Sequence, residues 1–379
     1  MPARWLVSRP WQCVTGCAIA LVVAHWYPAL AVAGLAVWIG AVYRQLLAEW
    51  TAALRFDPWR IVTTPALLFG LIICLGLLLV ALFPARFAPF APSYQTAVLQ
   101  TIDGRVMAAP FPPHAPFLLG TDAARHDLLS RLLYGAGSTL GVAVGVVALR
   151  LTLGCGLGWV AGWREGRWGD AALVATGVSA TVPALLFAWV FIVAIGPGSG
   201  FAVFVLGLGL TGWAHWAQLV HDEIRRLRRQ PFMEAATAVG VPARRQLSHY
   251  LVPNLLPLLI AVAAQEIAAA LLLLAELGFL GVFYGQGTVI SPADLDQGTI
   301  MVQFHDWAGM LAGTRFEIFR NWWLPLAPAG AFLIAILGFN LLGDGLRQAL
   351  ELPGRRQRVR RGRWRRRPFA RITADGSNP

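Results

Sequence analysis

Polar residues stand where polarity is costly. Gln265 and Glu266 occupy the middle of one apolar run, 255–281, and Arg150 lies inside another, 138–163. A carboxylate facing hydrocarbon costs a few kcal/mol, so Glu266 has to turn toward a bundle interior or a water-filled path. Packing against a partner helix and lining a translocation path both fit Gln265 and Glu266. An ion pair between Arg150 and Glu266 would satisfy both charges. A second polar group belongs to "EAATAVGVPARRQLSHYLVPNLLP" (234–257), which sets Glu234, Arg244 and Arg245 between apolar stretches. Charges on a short element of this kind suit docking to a cytoplasmic partner; the plainer alternative is an amphipathic loop at the membrane surface.

Enzyme chemistry finds little support. A P-loop needs G-x4-G-K-[ST], with the lysine reaching the β/γ-phosphates, and the chain contains no lysine at all. G-x-S-x-G, H-E-x-x-H and C-x-x-C are absent as well. His215, His221 and Glu223 gather at the end of an apolar run, where polar residues ordinarily mark an interface. Cys13, Cys17, Cys74 and Cys155 all sit in apolar stretches and serve as small hydrophobes, not as a metal site. Gly154-x-Gly156-x-Gly158 lacks the strand and the third spaced glycine of a dinucleotide fingerprint, and suits close helix packing. Neither a cofactor nor a metal is implied.

The elements that must position these residues follow from composition. Of 379 residues 57% are hydrophobic and 13% charged, with a mean hydropathy of +0.60. Soluble domains are about one quarter charged, so the expectation is an all-α polytopic membrane protein. Crossing the hydrocarbon core takes about 20 apolar residues. The runs 63–83, 138–163, 171–195, 200–220, 255–281 and 325–347 qualify, giving six core spans. The run 12–43 crosses once, or twice as a hairpin turned at Pro28. Basic loops mark the cytoplasmic side. The tail "RRQRVRRGRWRRR" (355–367) holds nine arginines and most of the +12 formal charge. With that tail inside, the loop 221–254 also falls inside, while 84–137 and 282–324 fall outside. A juxtamembrane basic cluster is explained by orientation and by anionic lipid headgroups, at about 1 kcal/mol per residue near the surface. Membrane lipid, and no nucleic acid, is its expected partner.

Within the polar stretch, "FMEAATAVG" has good helix formers and ends at Gly240, which suits a left-handed C-terminal cap. Pro242 opens a second helix, and "PNLLP" is expected to break or kink the chain as it re-enters the bilayer. This stretch resembles the EAA loop of ATP-binding-cassette (ABC) importer permeases, through Glu234, Ala235, Ala236, Gly240 and the closing Pro253 and Asn254. "LLGTDAARHDLLSRLLYGAGSTL" (118–140), "GFLG" (278–281), "WAGML" (307–311) and "FNLLGDGLRQALE" (339–351) are similar to segments of the dipeptide/oligopeptide/nickel permeases, of the C-subunit type. The likeness covers about 61–352.

That resemblance implies six core helices of the type I importer kind and a place in the bacterial cytoplasmic membrane, with the C-terminus cytoplasmic. It implies a homologous permease subunit, cytoplasmic ABC ATPase subunits and an extracytoplasmic solute-binding protein as partners. Glu234, Ala235, Ala236, Gly240, Arg244, Arg245, Pro253 and Asn254 would couple to the ATPase. Gln265 and Glu266 remain candidates for the path. "TDAARHDLLSRLLYG" is expected to be a helix capped by Thr121 or Asp122, with Asp127 and Arg131 one turn apart, near the binding-protein dock. The expected domains are an extension (1–60), a permease domain (61–352) and a basic tail (353–379). Two departures stand out. The family's Gly-Arg-Asp reads Arg125-His126-Asp127, and the loop between Gly281 and Trp307 is enlarged. A self-sufficient secondary transporter, or a membrane enzyme without a recognised motif, is the alternative function.

Overall fold

A computed structural model describes residues 64–102, 104–163, 167–196, 200–284 and 306–350. The N-terminal extension with its hairpin or single span, residues 285–305 of the enlarged loop and the basic tail lie outside the described residues.

The described chain is almost wholly helical. Helix α1 (Pro65–Leu82) leads through a short α2 (Pro84–Phe87) to a two-stranded antiparallel hairpin, β1 (Leu99–Ile102) and β2 (Arg105–Ala108). An all-helical reading did not anticipate this hairpin. Helix α3 (Leu128–Trp163) follows with 36 residues, then α4 (Arg167–Thr181), α5 (Ala184–Ile195), α6 (Phe201–Gly209) and α7 (Trp213–Arg228). A short α8 (Pro231–Ala238) and α9 (Ala243–Gln246) precede α10 (Val252–Phe279), and α11 (Trp307–Thr314) precedes α12 (Trp323–Ala349).

Four helices are long and apolar enough to cross a membrane, and up to six spans result if each of two bent pairs counts as one. The α4–α5 pair bends by 84° and the α6–α7 pair by 50°. The first bend falls at Pro183, whose ring and missing N–H oppose a continuous helix. The second falls at Leu210–Gly212, where Gly212 has φ 73°. The sequence had shown both pairs as plain apolar runs. Helix α3 also starts ten residues earlier than its apolar run, because "LLSRLLYGAG" is good helix sequence with a cap in front of it.

Packing centres on α3, which touches most of the other long helices. Gly154 and Gly158 lie against Trp216 and Ala217 of α7, so close that a side chain at either would collide with them. Gly156, on the opposite side, meets nothing within 4 Å. The packing repeat is therefore four residues, as small-xxx-small contacts require, and not the alternate spacing that the sequence displays. Helix α3 also defines two ends of the bundle, about 50 Å apart at 1.5 Å per residue. Its start receives the 84–127 segment, where the Phe90 amide donates to Ser130 Oγ at 3.1 Å. Its finish meets Arg228, at the end of α7.

Candidate functional site: a helical coupling element and a membrane-depth joint

Helix α8 is an eight-residue helix with Pro231 in its first position and Gln230 ahead of it. Glu234 stands in the first turn, where a negative charge meets the positive end of the helix dipole. One side anchors the helix: Met233 is 2% exposed and Ala236 7% exposed. Met233 packs with Val220, Ile224, Leu227, Leu251 and Leu255 in a small apolar cluster. Glu234 and Ala235 face outward. Ala236 therefore uses its small size to seat α8 on its own chain, while Ala235 offers the close approach expected of both alanines.

Gly240 ends the helix with φ 76°. Its N–H donates to the Thr237 carbonyl at 3.0 Å, and the Val241 N–H donates to the Ala236 carbonyl at 3.0 Å. This pair of bonds is a Schellman closure, which satisfies carbonyls that the helix leaves free. Gln246, which the sequence gave no reason to single out, locks the turn by donating to the Val241 carbonyl at 2.8 Å. Arg244 and Arg245 lie on α9, with Arg245 exposed. Behind α8, Trp163, Arg228, Met233, Glu234, Thr237, Ala238 and Gln246 line a cleft of about 530 Å³. Arg228 lies over the Trp163 ring at 5.4 Å and reaches the Gly162 and Trp163 carbonyls at 3.4 Å each. It closes the negative end of α3.

Of the break or kink expected at Pro253 and Asn254, the break does not occur. Helix runs on from Ala243 to Phe279 through a π turn, Leu247–Leu251, in which the Val252 N–H reaches back to the Leu247 carbonyl. The wider turn accommodates Pro253, which has no N–H to give and would crowd the carbonyl four residues back. Asn254 Nδ2 donates to the Tyr250 carbonyl at 2.6 Å.

Deep in the bundle, α10 and the break between α6 and α7 are joined by Arg150 of α3. This side chain, 2% exposed, forms the expected ion pair with Glu266 of α10. It also donates twice to the Leu208 carbonyl, at 3.2 and 3.0 Å, and to Thr211 Oγ1 at 3.1 Å. Leu208 lies in the last turn of α6, so Arg150 satisfies a carbonyl at the break between α6 and α7. Gln265 turns elsewhere: its Nε2 donates to Asp344 of α12 at 2.8 Å.

Comparison with known proteins bears on this arrangement. Residues 154–353 match the model of the family described as "Binding-protein-dependent transport system inner membrane component". This chain belongs to that family. Its relatives include the Di/tripeptide transport system permease protein DppC of Pseudomonas aeruginosa, 30% identical over 74% of this chain and 86% of the relative. The Oligopeptide transport system permease protein OppC of Bacillus subtilis is 28% identical over 82% and 92%. The Probable D,D-dipeptide transport system permease protein DdpC of Escherichia coli is 26% identical over 81% and 97%. The chain is thus a multi-pass membrane permease component of a binding-protein-dependent ABC transporter.

At the far end of the permease, the 121–131 residues hold a compact turn in place of the expected helix start. Asp127 is the cap of α3: its Oδ2 accepts from the Ser130 amide at 2.9 Å and from Ser130 Oγ at 2.5 Å. Thr121, fully buried, instead accepts from the Phe111 amide at 2.9 Å. Asp122 accepts from the His126 amide at 2.8 Å and pairs with Arg131. Burial alone would raise the Asp122 pKa, but the hydrogen bonds from His126 and the Arg131 charge outweigh it and hold the carboxyl below its ordinary value. These four side chains set the segment's shape; the outward surface is apolar, with Leu118 67% and Val106 68% exposed. Arg125, where the family carries glycine, has φ 69°, the left-handed region that glycine tolerates freely.

Beside this end, the permease holds a buried acid that sequence inspection passed over. Asp306 starts α11 and accepts from the Gly309 amide at 3.2 Å. Burial pushes its pKa up to about 7, against the lowering effect of the backbone N–H groups of Gly309, Tyr284 and Ala308. The following Trp307 donates from Nε1 to the Leu132 carbonyl at 2.8 Å, and its amide donates to Thr139 Oγ1 at 3.0 Å.

Proposed function

We propose that this subunit forms half of the path of an ATP-driven importer of peptides or a related small solute, and that α8 is the element on which a separate ATPase acts. The supporting observation is α8 itself. It is anchored by Met233 and Ala236, closed at Gly240 and Gln246, and open on the side of Glu234 and Ala235. Such an element transmits a push without deforming. The relatives' names speak for peptides as cargo, and the absence of lysine speaks for ATP hydrolysis on another subunit. The arginines around α8 argue for the cytoplasmic side, with the C-terminus inside as well. The opposite end, with the Thr121–Arg131 turn and the enlarged loop, then faces the extracytoplasmic binding protein. A homologous permease completes the path. A secondary transporter or motif-less enzyme finds no support in the family membership.

The test uses the full complex in proteoliposomes. Glu234→Lys and Gly240→Val should leave the subunit inserted and abundant, yet reduce solute-stimulated ATP hydrolysis at least tenfold. Gly240→Val acts by straining a left-handed position, at about 1–2 kcal/mol, since no atom lies within 4 Å of its added Cβ. Wild-type stimulation in both variants rejects the coupling role.

A further inference from the structure

Three carboxylates lie in α10 and α12: Glu266, Glu276 and Asp344. Glu266 is held by Arg150, and Asp344 by Gln265. Glu276 has no hydrogen-bond or ion-pair partner for its side chain among the described residues. Its position also opposes the helix that carries it. It stands within the last turn of α10, where the helix dipole is negative and an unpaired anion destabilises.

Glu276 shares a line along α10 with Gln265, Ala269 and Leu272, at spacings of four, three and four residues, so they point the same way within a narrow arc. Ala269 and Leu272 are exposed, and Gln265 and Glu276 are half-buried. At Gln265 this line meets α12, through Asp344 and the close approach of Gly343, while the buried residues Ala264, Ala268, Leu271, Leu274 and Leu277 lie on the other faces of α10. A face that carries a carboxyl group is costly to offer to hydrocarbon; it lines water or meets a polar partner. Its height is fixed by Gly278, which abuts Ala308 beside Trp307, and Trp307 is bonded to Leu132 near the start of α3. That is the end at which the solute enters in the orientation proposed above.

We propose that Glu276 is a cation-binding residue at the outer mouth of the path, where it takes the protonated amino group of the incoming solute. Leu272 beside it is apolar, while the end of α10 beyond it is closed by Arg315, which donates to the Phe279 carbonyl at 3.0 Å. The role rests on the permease reading above, and it deepens that reading by naming the charge the path selects.

Two measurements on the full complex in proteoliposomes test it. The first needs no knowledge of the cargo. Leu272→Cys, in a background with Cys13, Cys17, Cys74 and Cys155 changed to Ala, is treated with cationic aminoethyl and anionic sulfonatoethyl methanethiosulfonate. The cationic reagent should react at least tenfold faster, and adding Glu276→Gln should bring the ratio near one. Failure of both reagents to react, as on a face covered by lipid or by the second permease, overturns the proposal, and so does a ratio indifferent to Glu276→Gln. The second measurement follows dialanine uptake. Glu276→Gln should raise its KM at least tenfold while binding-protein-stimulated ATP hydrolysis persists, and Glu276→Asp should restore most of the loss. Wild-type uptake of dialanine that Glu276→Gln leaves unchanged rejects the site and spares the peptide reading. Absence of wild-type dialanine uptake, with the reagent ratio intact, rejects the peptide reading and spares the site.

Discussion

Among the described residues, the left-handed glycine turns at Gly240 and Gly212 join helices and are closed by different means. At Gly240, between α8 and α9, the turn is closed by its own backbone, and a Cβ on the glycine would meet nothing within 4 Å. At Gly212, between α6 and α7, the Leu208 carbonyl accepts from Thr211 beside it and also twice from Arg150 of α3, and a Cβ on that glycine would lie 2.9 Å from the guanidinium carbon. The first turn is exposed, and water can satisfy whatever the backbone leaves over. The second lies at the level of an apolar bundle, where an unsatisfied backbone group costs several kcal/mol and a neighbouring helix adds its donors to the local ones. A helix break inside the membrane is therefore a property of two segments, and a break at the surface a property of one.

Removing Arg150 tests this difference hardest. Arg150→Leu leaves Glu266 unpaired and leaves the Leu208 carbonyl with its Thr211 donors alone, and should cost about 3–5 kcal/mol, the usual penalty for breaking a buried pair. The measurement is thermal unfolding in detergent. Arg150→Leu combined with Glu266→Leu should recover part of the loss, because the stranded carboxylate is gone. A double variant no better than the single assigns the whole effect to the carbonyl.

Asp306 extends the comparison to a third helix end, one closed by a titrating side chain. Its folded pKa of about 7 lies above the ordinary carboxyl value. The folded state therefore holds a proton that the unfolded state has lost between about pH 4 and 7. Stability from this site is present below that window and falls as pH rises through it, by about 4 kcal/mol for a pKa raised by roughly three. Asp306→Asn retains a capping oxygen without the charge and should flatten the dependence. Unfolding followed between pH 4 and 8 checks it; an unaltered slope in the variant places the titration elsewhere.

The smallest effect separates the two glycines directly. Gly240→Ala should cost about 1 kcal/mol from left-handed strain alone. Gly212→Ala should cost roughly 1 kcal/mol more, since it also displaces Arg150. Equal losses would mean that Arg150 gives way freely.

These contrasts explain what was legible in the sequence. Long apolar runs announce spans because bilayer thickness fixes their length, and α1, α10 and α12 appear close to where their runs lie. The helix before Gly240 was legible because its signals are local: helix formers, then a glycine, then Pro242. The break at Gly212 was not, because the residue that stabilises it lies 62 positions earlier. Pro253 misled for a related reason, since a π turn absorbs it without ending the helix. At the α3 start, Thr121, Asp122 and Asp127 are all plausible caps by residue type; only the bonds of Ser130 decide for Asp127. The Arg150–Glu266 pair was legible because isolated charges in apolar runs have few places to go.

The two flanks of the enlarged loop are each moored to the bundle. On one side Val282 and Phe283 are buried and Tyr284 sits edge-on to Phe201 and Phe204. On the other, Trp307 is tied to Leu132 and Thr139. Two posts fixed in this way hold the frame largely independently of the length of chain that joins them, since closure entropy rises only slowly with length. Tyr284 and Asp306 are thus abutments in the architecture, set by the bundle itself and owing their positions to Phe201, Phe204, Leu132 and Thr139.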